Sequence, residues 1–212
     1  WCNECLTSIA QAELETKTIK TIFNYINFET KDDNEKFTIA TTRPETLLGD
    51  SALAVNPDDE RYTDLVGKEV ELPLTDRTIP IIADPYVDKE FGTGVVKITP
   101  AHDPNDFEVG NRHNLERIVV MNPNGTMNEN ADKYNGMDRF ECRDAVIKDL
   151  DSEGLLIKIE PINHNVGFSE RSDVMVEPYL SKQWFVKMRP LADRVLENQK
   201  DKDCLLYTSP SP

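Results

Sequence analysis

The sequence is short of positive charge. Its 212 residues include 24 lysines and arginines against 39 aspartates and glutamates, which gives a formal net charge of −15. Such an excess of acid opposes tight binding of nucleic acid through neutralisation of phosphates alone. A nucleic-acid ligand would therefore have to be held with the help of other domains.

Long apolar runs are also missing. No stretch approaches the roughly 20 apolar residues of a membrane span, and no basic segment followed by an apolar one opens the chain, as it would in a signal peptide. Hydrophobic residues nevertheless make up 38% of the sequence, which suffices for a packed core. These features predict a soluble globular protein with no membrane partner, located by default in the cytoplasm.

Cysteine is scarce, with four residues, two of which form the string Cys2-Asn-Glu-Cys5. This spacing is typical of one half of a zinc knuckle, and a knuckle needs four ligands. The other candidate ligands are scattered singly: Cys142, Cys204, His102, His113 and His164. We therefore predict no metal site in this chain. Because the chain begins abruptly with a tryptophan and this string, we expect an internal start.

Short β-branched and aromatic runs dominate the pattern of predicted elements. The first two form a hairpin around a charged loop at 31–36. The predicted strands cover residues 19–28, 37–42, 51–55, 67–74, 79–83, 95–99 and 155–160. So many short strands favour a barrel-like β-sheet with short helices, a mixed α/β (α+β) fold.

Helices are predicted at four places. The clearest is amphipathic, with Cys142, Val146, Ile147 and Leu150 on its apolar face and Gly154 at its end. The predicted helices begin near residue 56, run from 103 to about 111–114, and cover 139–152 and 188–198. Residues 174–186 are expected to be extended. The last residues, 204–212, continue no earlier pattern, and we interpret them as a non-native tail.

The segment 92–106 concentrates more candidate chemistry than any other. Side chains alternate across a strand, so Lys97 and Thr99 are expected on one face near the strand's end. Asp103 followed by Pro104 is typical of an N-cap and a first helical residue, and Asp106 occupies the third helical position. A carboxylate at a helix N-terminus is expected to stay ionised and can bind an ammonium group. The alternative is that these carboxylates only cap the helix and that the lysine is solvated.

A second strand exit repeats this arrangement at residues 43–50. Pro44 can occupy the first turn of a short helix, which leaves Arg43 and Thr46 near its start. An arginine beside free N–H groups suits a phosphate or a carboxylate. The alternative is a surface arginine in a turn.

Three strings in order carry a resemblance to a known family. Residues 40–50, 92–106 and 177–188 resemble the connective-peptide editing domain of class I aminoacyl-tRNA synthetases, and among these the valine-specific type. The isoleucine type usually carries a threonine-rich Thr-Pro-Trp-Thr string where this chain has Thr-Arg-Pro-Glu-Thr at 42–46. The resemblance covers about residues 1–200. An isoleucine- or leucine-specific relative is the alternative within the family.

The resemblance implies a division of the chain and a set of partners. Residues 1–18 would connect from a catalytic domain, 19–173 would form the editing domain, and 174–203 would return to the catalytic domain. The parent enzyme would use ATP and Mg²⁺ to join valine to its tRNA. This chain lacks the His-Ile-Gly-His and Lys-Met-Ser-Lys-Ser strings of that reaction, so aminoacylation is not expected from it. Its partners would be the rest of the synthetase and the acceptor end of the tRNA for valine, mischarged with threonine.

The resemblance also implies roles for individual residues. Asp106 would hold the α-ammonium of the wrong amino acid, and Lys97 and Thr99 would line the pocket for its side-chain hydroxyl. Arg43 would contact the terminal adenosine or its phosphate. The implied catalytic residues are Lys97 and Asp106, and the implied substrate-binding residues are Arg43, Thr46, Thr99, Asp103 and Asp106. Hydrolysis of the ester would need no cofactor and no nucleophile from the protein.

Two functions from other classes remain as alternatives. His102, Asp103, Asp106 and His113 could serve a metal-dependent hydrolase, although their spacing is irregular for metal ligands. His102 by itself could act as a base or could simply bond to backbone in a turn. A tRNA-binding module without catalysis is the third hypothesis, and the net charge of −15 argues against it.

Overall fold

The computed structural model describes residues 1–32 and 35–200. The chain divides into two units, Trp1–Leu180 and a second that begins at Ser181. The predicted tail at 204–212 and residues 33–34 of the predicted hairpin loop lie outside the described residues. The strands of the first unit are β1 (Leu14–Thr30), β2 (Lys36–Thr41), β3 (Ala52–Val55), β4 (Glu69–Glu71), β5 (Thr78–Ala83), β6 (Val95–Ile98) and β7 (Leu156–Ser169). Its α-helices are α1 (Pro104–His113) and α2 (Arg139–Ser152), and the second unit contains α3 (Met188–Lys200).

The strands form one curved sheet in the order β2-β1-β4-β5-β3-β6, with β7 also paired to β1. All pairs are antiparallel except β3 with β5. The two ends of this path, β2 and β6, approach each other. The predicted barrel-like sheet with few helices is therefore confirmed, and the approach of its ends creates the place where the candidate site lies.

The β1–β2 hairpin shows why these segments become strands. Ile26 and Phe28 alternate with more exposed residues on β1, as Phe37 and Ile39 do on β2, so each strand has one apolar face. Phe28 is the register partner of Phe37, and their rings stack with centroids 6.2 Å apart. Burial of each such side chain contributes roughly 1.5–3 kcal/mol. The predicted hairpin is confirmed, and β1 is longer than expected.

The prediction of a strand at 155–160 gives too short a range. In the structure β7 continues to Ser169, which pairs with Leu14, the first residue of β1. Pro161, Asn163 and Gly167 have low strand propensity, which is why the sequence pattern ends early. Pairing with the 17-residue β1 overrides that propensity. Pro161 is tolerated because β7 is an edge strand.

The prediction of a helix that begins near residue 56 is wrong. Asn56 and Asp59 instead accept backbone N–H groups two residues further on, which closes turns. Such short polar side chains compete with helical hydrogen bonds. A single 3-10 turn follows at Thr63–Leu65.

The other helices match their predictions closely. Cys142, Val146 and Leu150 of α2 are buried in the main apolar core, as their spacing predicts. Val109 of α1 packs in a smaller cluster with Ile98 of β6, so this contact sets the position of α1 against the end of β6. Within the described residues, no helix is long and apolar enough to cross a membrane.

Candidate active site

Two polar side chains leave the end of β6 on the same face, as the alternation of the sequence predicts. The ammonium of Lys97 donates to the hydroxyl of Thr99, whereas Ile98 between them lies in the apolar cluster beneath α1. Thr99 is 1% exposed. The pairing of β6 with β3 therefore places Lys97, and Thr99 directly after the strand, in the lining of a pocket.

The start of α1 supplies two carboxylates with different partners. Asp103 is the N-cap, as predicted, and its Oδ1 accepts the N–H groups of Asn105 at 2.7 Å and Asp106 at 3.1 Å. Asp106 was expected to meet the free N–H groups of its own helix. Its Oδ2 instead accepts the N–H of Thr99 at 2.9 Å. This bond ties the start of α1 to the end of β6.

The third part of the site follows β2. Residues Pro44–Gly49 form a buried 3-10 turn that begins with proline, as the sequence predicts. Thr46 donates its hydroxyl to the carbonyl of Arg43 at 2.9 Å. A Cβ on Gly49 would come within 2.8 Å of the carbonyl oxygen of Ile118, so this close packing requires glycine.

These three segments enclose a cavity of about 200 Å³. The structure brings together every residue that the sequence predicted for the site: Arg43, Thr46, Lys97, Thr99, Asp103 and Asp106. The cavity is also lined by Phe23, Ala40, Thr41, Thr42, Tyr86, Val96 and His102. The functional roles of these residues remain predictions.

Asp50 belongs to this cluster, although the sequence pattern did not single it out. Lys97 Nζ donates to Asp50 Oδ1 at 2.9 Å and to Thr46 Oγ1 at 2.9 Å, and the hydroxyl of Thr99 also donates to Asp50. Asp50 is fully buried, and this burial raises its pKa, which Lys97 opposes. An aspartate after a glycine suggests an ordinary turn, so only its place within the 40–50 string could have drawn attention to it.

Asp106 is less readily ionised than its place at a helix N-terminus led us to expect. Burial raises the pKa of its carboxyl to about 7, and the charge of Asp103 adds to this, while Lys97 lowers it. The side chain is 7% exposed, so water solvates its charge poorly. Near neutral pH this carboxyl therefore gains a proton or binds a cation.

Thr46 and Thr99, two of the threonines that line the cavity, have spare capacity only as acceptors. A hydroxyl has one donor and two acceptor positions. Thr46 donates to the Arg43 carbonyl and Thr99 donates to Asp50, while each accepts from Lys97. One lone pair remains on each hydroxyl. The pocket thus offers acceptors, including the Asp106 carboxylate, to a ligand that carries donors.

Arg43 is held in a buried network of alternating charges. Its guanidinium donates to the carbonyl of His102 at 3.0 Å, to Glu177 and, at 3.4 Å, to Glu45. Arg143 makes two further bonds to Glu45, each of 2.8 Å. The Arg43 side chain remains 27% exposed and lies between the pocket and a larger cavity of about 420 Å³. Sequence reasoning missed Glu45, Arg143 and Glu177 because their partners are distant in the chain.

His102 bonds to backbone, which was one of the two predicted alternatives. Its Nε2 accepts the N–H of Val120 at 2.9 Å, so this nitrogen carries no proton. Burial lowers the pKa of His102 to about 3, and the nearby charges of Arg43 and Lys97 add to the effect. The imidazole is therefore neutral and its Nε2 is occupied, which argues against a role as general base.

The residues of the metal-hydrolase alternative do not converge. His113 lies at the C-terminal end of α1, where its Nε2 is 2.8 Å from Asp84, whereas Asp103 and Asp106 lie at the other end. Among the described residues, no group of three or more His, Cys, Asp or Glu side chains could hold a metal ion.

The cysteine pair forms a turn of its own. The N–H of Cys5 donates to the sulfur of Cys2 at 3.1 Å, and this sulfur is 3.2 Å from the hydroxyl of Ser172. Cys142 lies apart in the apolar core, where burial raises its pKa to about 12. Cys204 lies outside the described residues.

An aromatic cavity of about 280 Å³ adjoins the polar one. Phe23 and Tyr86 line both cavities, and Phe91 lines the aromatic one alone. Phe91 is 63% exposed, and its ring lies edge-on to Phe23 with centroids 6.5 Å apart. A large exposed aromatic beside a polar pocket suits a flat ligand group. Sequence reasoning missed this cavity because its residues come from three separate segments.

Comparison with known proteins agrees with the resemblance. The family model described as "Leucyl-tRNA synthetase, editing domain" matches residues 63–151. The chain is 64% identical over 203 residues to the valine–tRNA ligase of Lactobacillus johnsonii, which covers 96% of the chain and 23% of that protein. It is 58% identical over 210 residues to the valine–tRNA ligase of Enterococcus faecalis, and this match covers 99% of the chain and 24% of that protein. The chain thus spans about a quarter of the length of these relatives.

A solved structure is similar in fold. It is the ternary complex of Agrobacterium radiobacter K84 agnB2 LeuRS with tRNA and LeuAMS. The match has a TM-score of 0.52 at 20% identity and covers 69% of this chain and 20% of the other. At this identity the likeness supports the architecture of the sheet and helices.

Proposed function

We propose, from the place of this chain as an editing-domain segment in the valine–tRNA ligase family of class I aminoacyl-tRNA synthetases, that it hydrolyses threonine wrongly joined to the tRNA for valine. The observation that carries the proposal is that three groups of the small pocket, Asp106, Thr46 and Thr99, keep free acceptor positions. The Asp106 carboxylate would accept from the α-ammonium of the amino acid. Thr46 and Thr99 each keep one lone pair for a side-chain hydroxyl.

The proposed reaction follows from a limit on binding. The apolar aminoacylation pocket of valine–tRNA ligases rejects threonine in favour of valine by a factor of only about 10². This enzyme is the standard example of that limit. A second pocket that bonds to the hydroxyl discriminates better, because valine would leave its acceptors unpaired. The polar lining at Thr46, Thr99 and Lys97 suits that second pocket.

Hydrolysis would proceed by direct attack of water on the ester carbonyl. A bond forms between the water oxygen and the carbonyl carbon, the bond to the ribose oxygen breaks, and that oxygen receives a proton. The products are free threonine and uncharged tRNA. The described cavity lining contains no serine or cysteine to act as nucleophile. Lys97, whose ammonium lines the same cavity, would add positive potential near the developing oxyanion.

The terminal adenosine of the tRNA would lie in the aromatic cavity. Stacking of a base on an aromatic ring contributes about 1–3 kcal/mol and needs no sequence recognition. Phe91 offers such a ring next to the polar pocket. Arg43, which lines the pocket and keeps part of its side chain exposed, would face the terminal nucleotide or its phosphate. Asp103 at the rim would add negative potential that attracts the ammonium.

The remaining functions would belong to the parent protein. Its other domains would bind ATP and Mg²⁺, activate valine and hold the body of the tRNA, since this chain has a net charge of −15. The editing site would use no cofactor. The enzyme would act in the cytoplasm with the rest of protein synthesis.

The experiment is single-turnover deacylation of threonyl and valyl esters of the tRNA for valine, with and without a chelator. We expect the threonyl ester to be hydrolysed much faster and the chelator to have no effect. Asp106→Asn should remove most of the activity. Thr38→Val, on the far part of β2, should not change it. Equal rates on the two esters would contradict the editing function, and loss of activity on chelation would favour a metal-dependent hydrolase.

A further inference from the structure

Lys97 is one of two cations that line the pocket, and its carboxylate partner is Asp50. The ammonium has three N–H groups, and they donate to Thr46 Oγ1, Asp50 Oδ1 and Thr99 Oγ1. Three acceptors match the three donors of a lysine ammonium. Asp106, which lines the same cavity, accepts the backbone N–H of Thr99 instead.

The pairing of Lys97 with Asp50 determines the net charge that the pocket presents to a ligand. Lys97 and Asp50 compensate each other, so the Asp106 carboxylate remains available to a cation from outside. A lysine has a long flexible stem and a compact charge. Lys97 and Asp106 line one cavity of about 200 Å³. Without its partner, the Lys97 ammonium could turn to Asp106 and take the place of a ligand's ammonium.

Asp50 itself is not exposed to a ligand. Its side chain is 0% exposed and does not line the cavity. Its second oxygen, Oδ2, is buried and has no hydrogen-bond partner within the described part of the chain. A buried charge with an unpaired oxygen is a poor source of stability. Its presence beside the pocket therefore suggests a role in the site.

We propose that Asp50 is a positioning residue that holds the Lys97 ammonium away from Asp106 and so keeps Asp106 free for the ammonium of the aminoacyl ligand. The inference deepens the proposed editing function and rests on it for the identity of the ligand. Asp50 acts through Lys97 and Thr99, and it does not touch the reacting atoms.

The first test is an NMR titration of the Asp106 carboxyl in the ¹³C-labelled chain. The charged and titratable groups that face this carboxyl are Lys97, Asp50, Asp103 and Tyr86. Asp50→Asn removes one negative charge and releases the lysine, and both changes favour the ionised form of Asp106. We expect its titration midpoint to fall clearly below that of the unchanged chain.

A matched control removes a comparable buried charge elsewhere. Asp84 is 1% exposed and pairs with Arg112 and His113. Asp84→Asn retains an oxygen for the N–H of Tyr86, which Asp84 now accepts. It should leave the Asp106 midpoint unchanged. An equal midpoint in Asp50→Asn and the unchanged chain would overturn the proposal.

A second measurement needs no variant and covers the case in which Asp50→Asn does not fold. In the unchanged chain, the through-hydrogen-bond coupling from ¹⁵Nζ of Lys97 should reach the carboxyl carbon of Asp50. It should persist when methylammonium is added and the Asp106 carboxyl signal shifts. A coupling from Lys97 to Asp106 would refute the assignment.

The functional test uses single-turnover deacylation of the threonyl ester over a range of enzyme concentrations. Asp50→Asn should raise the concentration for half-maximal rate by roughly tenfold to a hundredfold, the effect of losing a charge-assisted hydrogen bond. Asp84→Asn should leave it unchanged. If the unchanged chain hydrolyses neither ester, the editing function fails, and the NMR experiments still decide whether Asp50 holds Lys97. If it hydrolyses the threonyl ester and the two variants behave alike, the role of Asp50 fails alone.

Discussion

At the scale of single residues, Asp106 combines a cost in stability with a chemical use. Its carboxyl has a pKa of about 7 in the folded chain, above the ordinary value of 3.8. Between these two values the folded state keeps a proton that the unfolded state has released. The free energy of unfolding therefore falls as the pH rises from about 4 to about 7. Above that range the chain retains a buried charge that a ligand's ammonium can neutralise.

Asp106→Asn should remove this pH dependence. Asparagine keeps an oxygen for the N–H of Thr99 and carries no charge. We expect the variant to be more stable than the unchanged chain at pH 8 by an amount on the order of a few kcal/mol. The difference should vanish near pH 4. Urea unfolding at the two pH values measures it, and an equal difference at both would show that burial does not raise this pKa.

Thr99→Val should narrow the preference for threonyl over valyl ester. The substitution removes the lone pair proposed for the substrate hydroxyl, so the threonyl reaction should slow by roughly threefold to tenfold. The valyl reaction should change less. Thr38→Val is the matched control, since Thr38 bonds to Asn27 on the hairpin. An unchanged ratio of rates in Thr99→Val would remove Thr99 from substrate recognition.

At the scale of elements, the start of α1 contains one residue that stabilises the helix, Asp103, and one that lines the candidate site, Asp106. Asp103 caps the helix, and the helix in turn carries Asp106 to the end of β6. A comparable cap exists on α2, where Asp138 accepts the N–H of Phe140 at 2.8 Å. The two caps allow the contribution of helix stability to be separated from that of the site.

Asp103→Ala should lower the free energy of unfolding by about 0.5–2 kcal/mol, the usual effect of losing an N-cap. Asp138→Ala should have a similar effect on stability, because it removes the same kind of bond. Deacylation should fall only in Asp103→Ala, whose helix positions the ammonium-binding carboxylate. Thermal unfolding and single-turnover rates test both variants. A loss of activity in Asp138→Ala equal to that in Asp103→Ala would attribute the effect to stability alone.

At the scale of the whole molecule, the chain corresponds to about a quarter of its relatives' length. Glu177, near the end of the first unit, bonds to Arg43 at the pocket. The segment that leads out of this unit is therefore tied to the site by a buried ion pair. In a longer protein this contact would connect the candidate pocket to the segment that follows it.

The isolated chain should not form valyl-adenylate, because neither of the strings typical of the ATP site occurs in its sequence. ATP–pyrophosphate exchange with valine measures this directly. The full-length relative from Lactobacillus johnsonii, 64% identical over the shared region, is the positive control. Exchange by the isolated chain above background would disprove the assignment of synthesis to other domains.

The sequence by itself determined the features that depend on near neighbours. The alternation that places Lys97 with Thr99, the cap at Asp103 and the bounds of α2 all follow from the geometry of single strands and helices. The resemblance added the set of residues that the structure then brought into one cavity. Each of these inferences needs information from only a few adjacent positions or from a known pattern.

Only the tertiary structure decided how these residues are paired and charged. The partnership of Lys97 with Asp50 joins residues 47 positions apart, and the bond of Arg43 to Glu177 spans 134. The pKa of Asp106 depends on how completely neighbouring elements exclude water from it. Burial and long-range ion pairs arise when the ends of the sheet approach each other and α1 packs against β6. Local sequence patterns carry no information on such contacts, because they involve atoms that meet only in the folded chain.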